Sequence, residues 1–336
     1  MTGMAIVAAG KGRVEVREIE VPSLGEWDIR VALERSAVSV GTESHLAGKL
    51  ASAENPLILG YAPLARVEAT GARVSPALFA VGDRVSYFSP AQPPAGPANG
   101  CGGHQSPAVL NVNPQTRDLL GPDQFCVKVP DGLPSEQAAF GGIAAVSSMG
   151  ATMPGTRPGD KVLVLGQGVI GQFAAQHFRM HGAEVAVSDL HEKRLTIARA
   201  CGADHVIDAA RQDTVQALRA IWPDGADIVA DTTGLYRAVE ASIGAVKRRG
   251  RYVFLGWCKG SDFALERFHG QAVFQAYFPW TLEGAHVQHS WRMMKQGGIK
   301  VEPIVTHRVR VSDAPAVYEM ILNRPGEYVG VVFNWD

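Results

Sequence analysis

Short apolar runs alternate with stretches of helical apolar spacing through the middle of the chain. Lys161–Leu165 is apolar after its first residue, which is typical of a parallel strand buried on both faces. From Gln172 to His181 apolar residues recur at helical spacing, and the stretch ends at Gly182, a residue type that often closes a helix. A second strand is predicted at Glu184–Ser188, with Asp189 directly after it. The pattern predicts a strand-helix-strand unit.

The same alternation continues to about residue 300. We predict helices at Glu192–Ala200, Thr214–Ile221 and Leu235–Val246, and strands at His205–Asp208, Asp227–Asp231, Arg251–Leu255 and Ala272–Phe278. With the first two strands this makes six, and crossover helices between them are typical of a doubly wound parallel sheet. The predicted fold class is α/β, with a ligand at the carboxyl ends of the strands.

The first part of the chain has a different pattern, in which Gly, Pro and Asp separate short strand-like runs. These runs are Ala5–Ala8, Arg13–Ile19, Asp28–Ser36, Ala65–Ala69 and Arg84–Ser86. They indicate an all-β, barrel-like domain. The tail repeats this pattern, with strands predicted at His307–Val311 and Val329–Phe333 and a helix around Ala314–Ile321.

We therefore predict a β-barrel domain over 1–139 and 305–336, and an α/β domain over 140–304. Such an insertion places the active site in the cleft between domains. The segment Ser89–Gln115 is rich in Pro, Gly and Asn, and we interpret it as a long loop, either a substrate-facing lid or a disordered surface excursion.

The most specific motif follows the strand at Lys161–Leu165 and reads Gly166-Gln167-Gly168-Val169-Ile170-Gly171. In a dinucleotide-binding turn the first glycine permits the tight turn, the second lets the backbone approach a pyrophosphate, and the third packs the helix on the strand. Asp189 lies about 20 residues further on, where a carboxylate accepts hydrogen bonds from an adenosine ribose and repels a 2′-phosphate. The motif predicts NAD(H). NADP(H) remains an alternative, because three nearby residues could hold the additional phosphate; they are His191, Lys193 and Arg194. The structural alternative for Asp189 is that it caps the next helix.

Composition narrows the function classes. The 336 residues are 46% hydrophobic and 19% charged, as expected for a soluble enzyme with two cores. A formal net charge of -1 argues against nucleic-acid binding, and we assign the one compact basic run, Lys247-Arg248-Arg249, to a helix end. No apolar run reaches the roughly 20 residues of a membrane span, and no signal-peptide pattern is present. A cytoplasmic protein without a membrane partner is expected. The dispersed cysteines favour reduced thiols; they are Cys101, Cys126, Cys201 and Cys258.

The layout and several local motifs resemble the medium-chain dehydrogenase/reductase superfamily over nearly the whole chain. The residues that carry the resemblance are Val40–His45, Gly60–Ala62, Val81–Val85, the glycine turn with Asp189, and Thr306–Arg308. The resemblance implies a GroES-like catalytic domain, a Rossmann domain, and hydride transfer between a nicotinamide and a carbonyl, alcohol or activated alkene. Within the superfamily, the Gly-Thr-Glu segment and the C-terminal residues are loosely similar to bacteriochlorophyllide dehydrogenase and its relatives.

The departures from that family concern zinc. Zinc-containing members place a cysteine at the position of Val40 and a histidine with a glutamate at Tyr61 and Ala62, and a later cysteine falls within Phe140–Ala144. A catalytic zinc needs about three N, S or O ligands from the protein, so we predict an enzyme without zinc. One alternative metal site stays open, made of Cys101, His104 and His45.

Four residues are candidates for catalysis. Thr42 and His45 occupy positions where zinc-dependent relatives keep a hydroxyl and a histidine that relay the alcohol proton. Tyr61 takes the place of a zinc-ligating histidine, so its phenol can donate a hydrogen bond to a developing alkoxide. Glu43 is expected to orient one of these groups. The structural alternative is that Thr42 and Glu43 cap a short helix while Tyr61 packs as an ordinary aromatic.

These observations predict a zinc-independent NAD(H)-dependent oxidoreductase that interconverts a secondary alcohol and a ketone. The first alternative is an NADPH-dependent quinone or enoyl reductase, and the second is a non-catalytic dinucleotide-binding protein. Tyr87, His104 and Trp280 are predicted to line the substrate pocket, and Gly256 with Trp257 to lie at the nicotinamide. The strand at Ala272–Phe278 is a sheet edge, which predicts a homodimer.

Overall fold

The computed structural model describes residues 1–117, 125–256, 274–279 and 283–335. They form two compact units. Unit 1 comprises Met1–Ile143, Thr281–Lys295 and Val305–Asp336, and unit 2 comprises Ala144–Trp280 and Gln296–Ile304. Within these described ranges, no helix is both long enough and apolar enough to cross a lipid bilayer.

Unit 1 consists mainly of strands; element labels count along the whole chain. Its strands are β1 (Thr2–Ala8), β2 (Val14–Glu20), β3 (Asp28–Ala37), β4 (Leu57–Ile58), β5 (Ala62–Thr70), β6 (Arg84–Tyr87), β7 (Ala98–Asn99), β8 (Gln105–Ser106), β9 (Ala108–Asn111), β10 (Cys126–Lys128), β17 (Val305–Arg310) and β18 (Gly330–Asn334). Its helices are α1 (Val40–His45), α2 (Pro114–Arg117), α3 (Ser135–Ala139), α9 (Gly284–Lys295) and α10 (Ala314–Asn323), with a π-helix at Leu46–Leu50 and a 3-10 turn at Val311–Asp313.

Two sheets organise unit 1. One has the order β2-β1-β4-β7, with β8 also paired to β1, and the other has the order β10-β6-β5-β3-β18-β17, with β9 also paired to β3. The pairings are antiparallel except β4 with β7 and β17 with β18. The predicted all-β domain is confirmed, and the C-terminal tail enters its sheet because β18 pairs with β3.

The interpretation of Ser89–Gln115 as one long loop was wrong. Within it, β9 pairs with β3 and buries the apolar side chains of Ala108, Val109 and Leu110. The short strands β7 and β8 pair with β4 and β1. A strand of four residues is too short for its apolar pattern to stand out among the surrounding Pro, Gly and Asn residues.

Unit 2 is a doubly wound parallel sheet, as predicted. Its strands are β11 (Lys161–Leu165), β12 (Glu184–Asp189), β13 (His205–Asp208), β14 (Ala226–Asp231), β15 (Val246–Phe254) and β16 (Gln275–Tyr277). Its helices are α4 (Gly141–Thr152, which begins in unit 1), α5 (Val169–Met180), α6 (Glu192–Cys201), α7 (Thr214–Ile221) and α8 (Tyr236–Ser242), with 3-10 turns at Ile243–Ala245 and Glu302–Ile304. The strand order is β13-β12-β11-β14-β15-β16, and every pairing is parallel.

The strands of unit 2 are buried on both faces, which explains their continuous apolar runs. In β11, Val162 and Val164 belong to one core, whereas Leu163 and Leu165 belong to a second core on the opposite face. Each fully buried side chain of this size contributes about 1.5–3 kcal/mol to folding. These two cores hold the carboxyl ends of the strands in fixed positions.

The helix predicted at Leu235–Val246 was too long. The helix α8 ends at Ser242, and β15 already begins at Val246. The basic run Lys247-Arg248-Arg249 therefore lies in a strand and not at a helix end. The register between β15 and β14 shifts along this stretch, and Arg249 has a φ of 64°. The three basic residues therefore lie at an irregularity in the strand.

Candidate cofactor and substrate sites

The glycine turn after β11 has the geometry of a tight strand-to-helix connection. Gly166 has a φ of +81°, a conformation that favours glycine. A Cβ on Gly171 would lie 1.9 Å from the Gly166 carbonyl oxygen. These two glycines are therefore required by the protein itself, because they let α5 start directly against the turn.

Gly168 has no such requirement. Its φ of -67° suits any residue, and no described atom lies within 4 Å of the position that its Cβ would occupy. A glycine there leaves open space above the turn, in front of the first N–H groups of α5. This cradle fits a pyrophosphate, since a backbone without a side chain lets the phosphates approach the helix start.

Asp189 ends β12 beside this turn. Its Oδ2 accepts the Gln167 N–H at 2.6 Å, its Oδ1 accepts the His191 N–H at 2.9 Å, and Arg194 Nη1 lies 3.6 Å from Oδ2. The N-cap of α6 is His191 and not Asp189, so the carboxylate joins the glycine turn to the next loop. A carboxylate fixed at this place suits a ribose and not a second phosphate.

Sequence reasoning missed the loop after β14. Thr232 Oγ1 donates to the carbonyls of Leu165 and Gly166, both at 2.9 Å. Asp231 accepts hydrogen bonds from Thr233 and Gly234. Polar residues just after a buried parallel strand were the signal that could have identified this loop.

Gly256 follows β15 and closes on the same loop. A Cβ on Gly256 would lie 2.2 Å from the Gly234 nitrogen. We call the set at the carboxyl ends of these strands the glycine edge; it comprises Gly166–Gly171, Asp189, Thr232–Gly234 and Gly256. Trp257, predicted beside the nicotinamide, lies outside the described residues.

In unit 1, three hydroxyl groups come together around α1. Ser39 precedes the helix, and its Oγ donates to Thr42 Oγ1 at 3.4 Å. The Tyr61 phenol lies near enough to the Ser39 side chain for Ser39 to offset part of the rise in its pKa. We call Ser39, Thr42 and Tyr61 the hydroxyl cluster. Ser39 was not among the predicted site residues, because a serine before a short helix is commonly only a cap.

A buried carboxylate lies next to this cluster. Glu43 is fully buried; its Oε1 accepts the Ser39 N–H at 2.7 Å, and its Oε2 contacts His104 Nε2 at 3.0 Å and accepts the Tyr318 hydroxyl. We call Glu43, His104 and Tyr318 the carboxylate clamp. Tyr318 lies 275 residues from Glu43, so no local pattern could have indicated this contact.

Burial and charge perturb the groups around the clamp. Burial raises the pKa of the Tyr61 phenol, the charge of Glu43 raises it further, and the Ser39 side chain offsets part of this effect. Burial, followed by the charge of Glu43, raises the pKa of the Cys101 thiol to about 12. Tyr61 therefore remains a neutral hydrogen-bond donor, and Cys101 remains an unreactive thiol.

The structure gives the other predicted residues different surroundings. His45 is the half-buried last residue of α1, three positions after Thr42. Tyr87 is fully buried in a core of unit 1, and the His104 ring packs edge-on against Phe333. Such complete burial of Tyr87 and His104 argues against direct contact with a substrate. Trp280 lies outside the described residues.

The donor set does not fit a catalytic zinc. Across residues 1–117, 125–256, 274–279 and 283–335, no group of three or more His, Cys, Asp or Glu side chains is arranged to hold a metal ion. His104 Nε2 already contacts the Glu43 carboxylate. Tyr61 offers a phenol at the position where zinc-containing relatives keep a histidine ligand.

Comparison with known proteins places this geometry in a family. The family model for zinc-binding dehydrogenases matches residues 169–300. L-threonine 3-dehydrogenase of Rhizobium rhizogenes is 26% identical over 341 residues, which cover 95% of this chain and 94% of that protein. The chain is a medium-chain dehydrogenase/reductase. As a member of that superfamily it is an oxidoreductase.

Solved structures agree with the fold. The 2R,3R-butanediol dehydrogenase of Bacillus subtilis has a TM-score of 0.80 at 18% identity, covering 99% of this chain and 100% of that one. Benzyl alcohol dehydrogenase of Acinetobacter calcoaceticus has a TM-score of 0.82 at 17% identity, covering 100% of both chains. The predicted GroES-like and Rossmann fold of this medium-chain dehydrogenase/reductase is confirmed.

Proposed function

We propose that this protein is a zinc-independent oxidoreductase that transfers a hydride between NAD(H) and a secondary alcohol or ketone. The observation that carries the proposal is the buried Tyr61 phenol, whose pKa is raised by burial and which lies near the Ser39 side chain. It takes the place where zinc-containing relatives keep a metal ligand. A hydroxyl donor there supplies the polarisation that a metal otherwise gives to the substrate oxygen.

The glycine edge supports the cofactor assignment. When bound, the nicotinamide supplies or accepts the hydride. Gly168 leaves room for the pyrophosphate, and Asp189 offers its carboxylate to the adenosine ribose. The Asp189 carboxylate repels a 2′-phosphate, which makes NADP(H) the weaker cofactor. Arg194 Nη1 lies 3.6 Å from Asp189 Oδ2 and offsets part of that negative charge, so the charge of Asp189 alone does not exclude NADP(H).

Tyr61 is the proposed hydrogen-bond donor to the substrate oxygen. Burial raises its pKa, so the phenol stays protonated over the pH range in which enzymes work. A neutral donor stabilises the alkoxide that develops during hydride transfer, because negative charge grows on that oxygen. Its role is polarisation and concerted proton transfer, not ionisation to a tyrosinate base.

Thr42 and His45 are the proposed exit for the proton. The two residues are three positions apart on α1, a spacing that puts them on one face of a helix. An imidazole can take up and release a proton, so it can pass the proton on to water. Glu43 is buried and bound to Ser39 N–H, so its proposed part is to orient α1.

The remaining features of the proposal are the domain limits, 1–139 with 305–336 and 140–304, a homodimer and a cytoplasmic location. The strand β16 lies at one end of the described six-stranded sheet, and an unpaired edge of this kind invites a second chain. Light scattering of the purified protein checks the dimer.

A substrate screen tests the proposed reaction. Secondary alcohols, ketones, quinones and enones would each be offered with NAD(H) and with NADP(H), and nicotinamide absorbance would be followed. We expect turnover of alcohols and ketones, with higher kcat/KM for NAD(H). Turnover confined to quinones or enones with NADPH would favour the reductase alternative, and cofactor binding without any turnover would favour a non-catalytic protein.

A further inference from the structure

One peptide of the glycine turn is held by side chains from both neighbouring strands. It is the peptide that joins Gly166 to Gln167. Its N–H donates to Asp189 Oδ2 at 2.6 Å, and Asp189 is the last residue of β12. Its carbonyl accepts the Thr232 hydroxyl at 2.9 Å, and Thr232 directly follows β14. Because β12 and β14 flank β11 in the sheet, the peptide is tied to both neighbours of its own strand.

This peptide depends on its partners because Gly166 cannot fix its orientation. Gly166 has a φ of +81°, and a glycine adopts positive and negative φ about equally readily. The peptide that follows can therefore rotate unless other groups hold it. In the structure its carbonyl oxygen lies against the start of α5, since a Cβ on Gly171 would lie 1.9 Å from that oxygen. The Thr232 hydroxyl holds the carbonyl in this orientation.

We infer that Thr232 is a positioning residue that keeps the glycine turn in the shape that receives the pyrophosphate, an inference that rests on the proposed function. Gly168, which leaves the space for the phosphates, lies two positions after Gly166. A turn that rotates at Gly166 moves Gly168 with it, and the cofactor must then order the turn before its phosphates bind. That ordering lowers affinity, because apparent affinity falls with the fraction of protein in the competent conformation.

The Thr232 hydroxyl is not required to satisfy the backbone. Its single hydrogen is shared between the carbonyls of Leu165 and Gly166, both at 2.9 Å. Each carbonyl also accepts a second donor: the Thr232 N–H bonds the Leu165 oxygen at 2.9 Å, and Gln167 Nε2 bonds the Gly166 oxygen at 2.9 Å. Removing the hydroxyl leaves neither carbonyl without a partner, so the loss of folding free energy is small. A positioning role and a merely structural role therefore predict different results.

The experiment compares Thr232→Val with Thr214→Val. Both variants replace a hydroxyl of unit 2 by a methyl group. Thr214 Oγ1 is hydrogen-bonded to the Ser188 hydroxyl at 3.1 Å, so the control removes the same kind of group without touching the peptide between Gly166 and Gln167. The Kd of NADH would be measured by fluorescence titration and Tm by thermal unfolding. Amide hydrogen exchange of the glycine turn would be followed in the free and the NADH-bound protein.

We expect Thr232→Val to raise the Kd of NADH about tenfold while Tm stays within about 3 °C of the wild-type value. The Gln167 amide should exchange faster than in the wild type in the free protein, because the turn opens more often. Saturation with NADH should remove that difference. Thr232→Ser, which keeps the hydroxyl, should restore the wild-type Kd, and Thr214→Val should keep both the Kd and the exchange rate.

An unchanged Kd in Thr232→Val, with or without a lower Tm, would overturn the positioning role and leave the proposed function intact. An equal rise of Kd in Thr214→Val would also overturn it, because the effect would then not depend on the glycine turn. Should Thr232→Val fail to fold, Thr232→Ala removes the hydroxyl without adding a methyl group in its place, and a wild-type Kd there would contradict the inference. A wild-type protein that binds neither NADH nor NADPH would overturn the proposed function and the inference together.

Discussion

The glycine edge of unit 2 is made mostly of backbone, whereas the hydroxyl cluster of unit 1 is made of side chains. At the glycine edge, missing side chains create the site: Gly171 lets the helix pack, and Gly168 leaves space for a ligand. In the hydroxyl cluster, the side chains of Ser39, Thr42 and Tyr61 supply the chemistry. The carboxylate clamp holds α1 in place through Tyr318, which lies on α10, far away in sequence.

This difference separates binding from chemistry. A backbone cradle binds the pyrophosphate, which all dinucleotides share, so it does not depend on the identity of the substrate. Side-chain hydroxyls can be exchanged one at a time and determine how the substrate proton moves. Substitutions at the glycine edge should therefore change cofactor affinity, and substitutions in the hydroxyl cluster should change turnover.

The largest expected effect is that of Gly171→Ala. Its Cβ would lie 1.9 Å from the Gly166 oxygen, so the turn and α5 must move apart. We expect a loss of about 3 kcal/mol in the free energy of unfolding, in the range for overpacked sites, together with loss of cofactor binding. Chemical denaturation and cofactor titration check this. Gly244→Ala is the control, because its Cβ would lie 3.4 Å from Val215 Cγ1, an ordinary contact; equal stability of the two variants would contradict the steric account.

The glycine turn was predictable because it is a local structure. A strand, three glycines and a helix follow one another along the chain, so residues that are close in sequence form the whole turn. Within β11–β14, apolar runs also located each strand to within about a residue, because strands buried on both faces have a simple pattern.

The hydroxyl cluster was only partly predictable. Thr42 and Tyr61 came from positions in the family pattern, but Ser39 and Tyr318 had no signal of their own. Their roles depend on tertiary contacts across 22 and 275 residues in sequence, from Ser39 to Tyr61 and from Glu43 to Tyr318. Periodicity describes which face of an element is buried, not which polar group it meets there.

Tyr61→Phe should have the next largest effect. Removing one hydrogen-bond donor to a developing oxyanion commonly costs about 10²-fold or more in kcat. We expect that loss with cofactor affinity close to wild type, measured by steady-state kinetics and cofactor fluorescence. Phe88→Leu is the control, since the Phe88 ring packs edge-on against Tyr61 at 6.2 Å and offers no donor. Wild-type turnover in Tyr61→Phe would remove the phenol from the reaction.

Gly168→Ala should produce a smaller and purely ligand-dependent effect. Its Cβ meets no described atom within 4 Å, so Tm should stay at the wild-type value. The added methyl group occupies the space proposed for the pyrophosphate, and we expect cofactor Kd to rise about tenfold, equivalent to about 1.4 kcal/mol. Unchanged Kd with unchanged Tm would show that the space above the turn is not used by the cofactor.

His45→Gln should have the smallest effect on turnover. His45 is half-buried at the end of α1, where water can replace it as the last proton carrier. We expect kcat for alcohol oxidation, measured by steady-state kinetics, to fall about fivefold, less than the usual loss of a direct acid-base group. A kcat equal to that of the wild type would remove His45 from the proton path.

The central claim is that neutral hydroxyls, and not zinc, polarise the substrate in this medium-chain dehydrogenase/reductase. Its most direct test is to measure metal content by mass spectrometry on the same enzyme sample whose turnover of a secondary alcohol is recorded before and after chelator treatment. We predict substoichiometric zinc and a kcat that the chelator does not change. Stoichiometric zinc, with turnover that is lost on chelation and restored by adding zinc, would contradict the account.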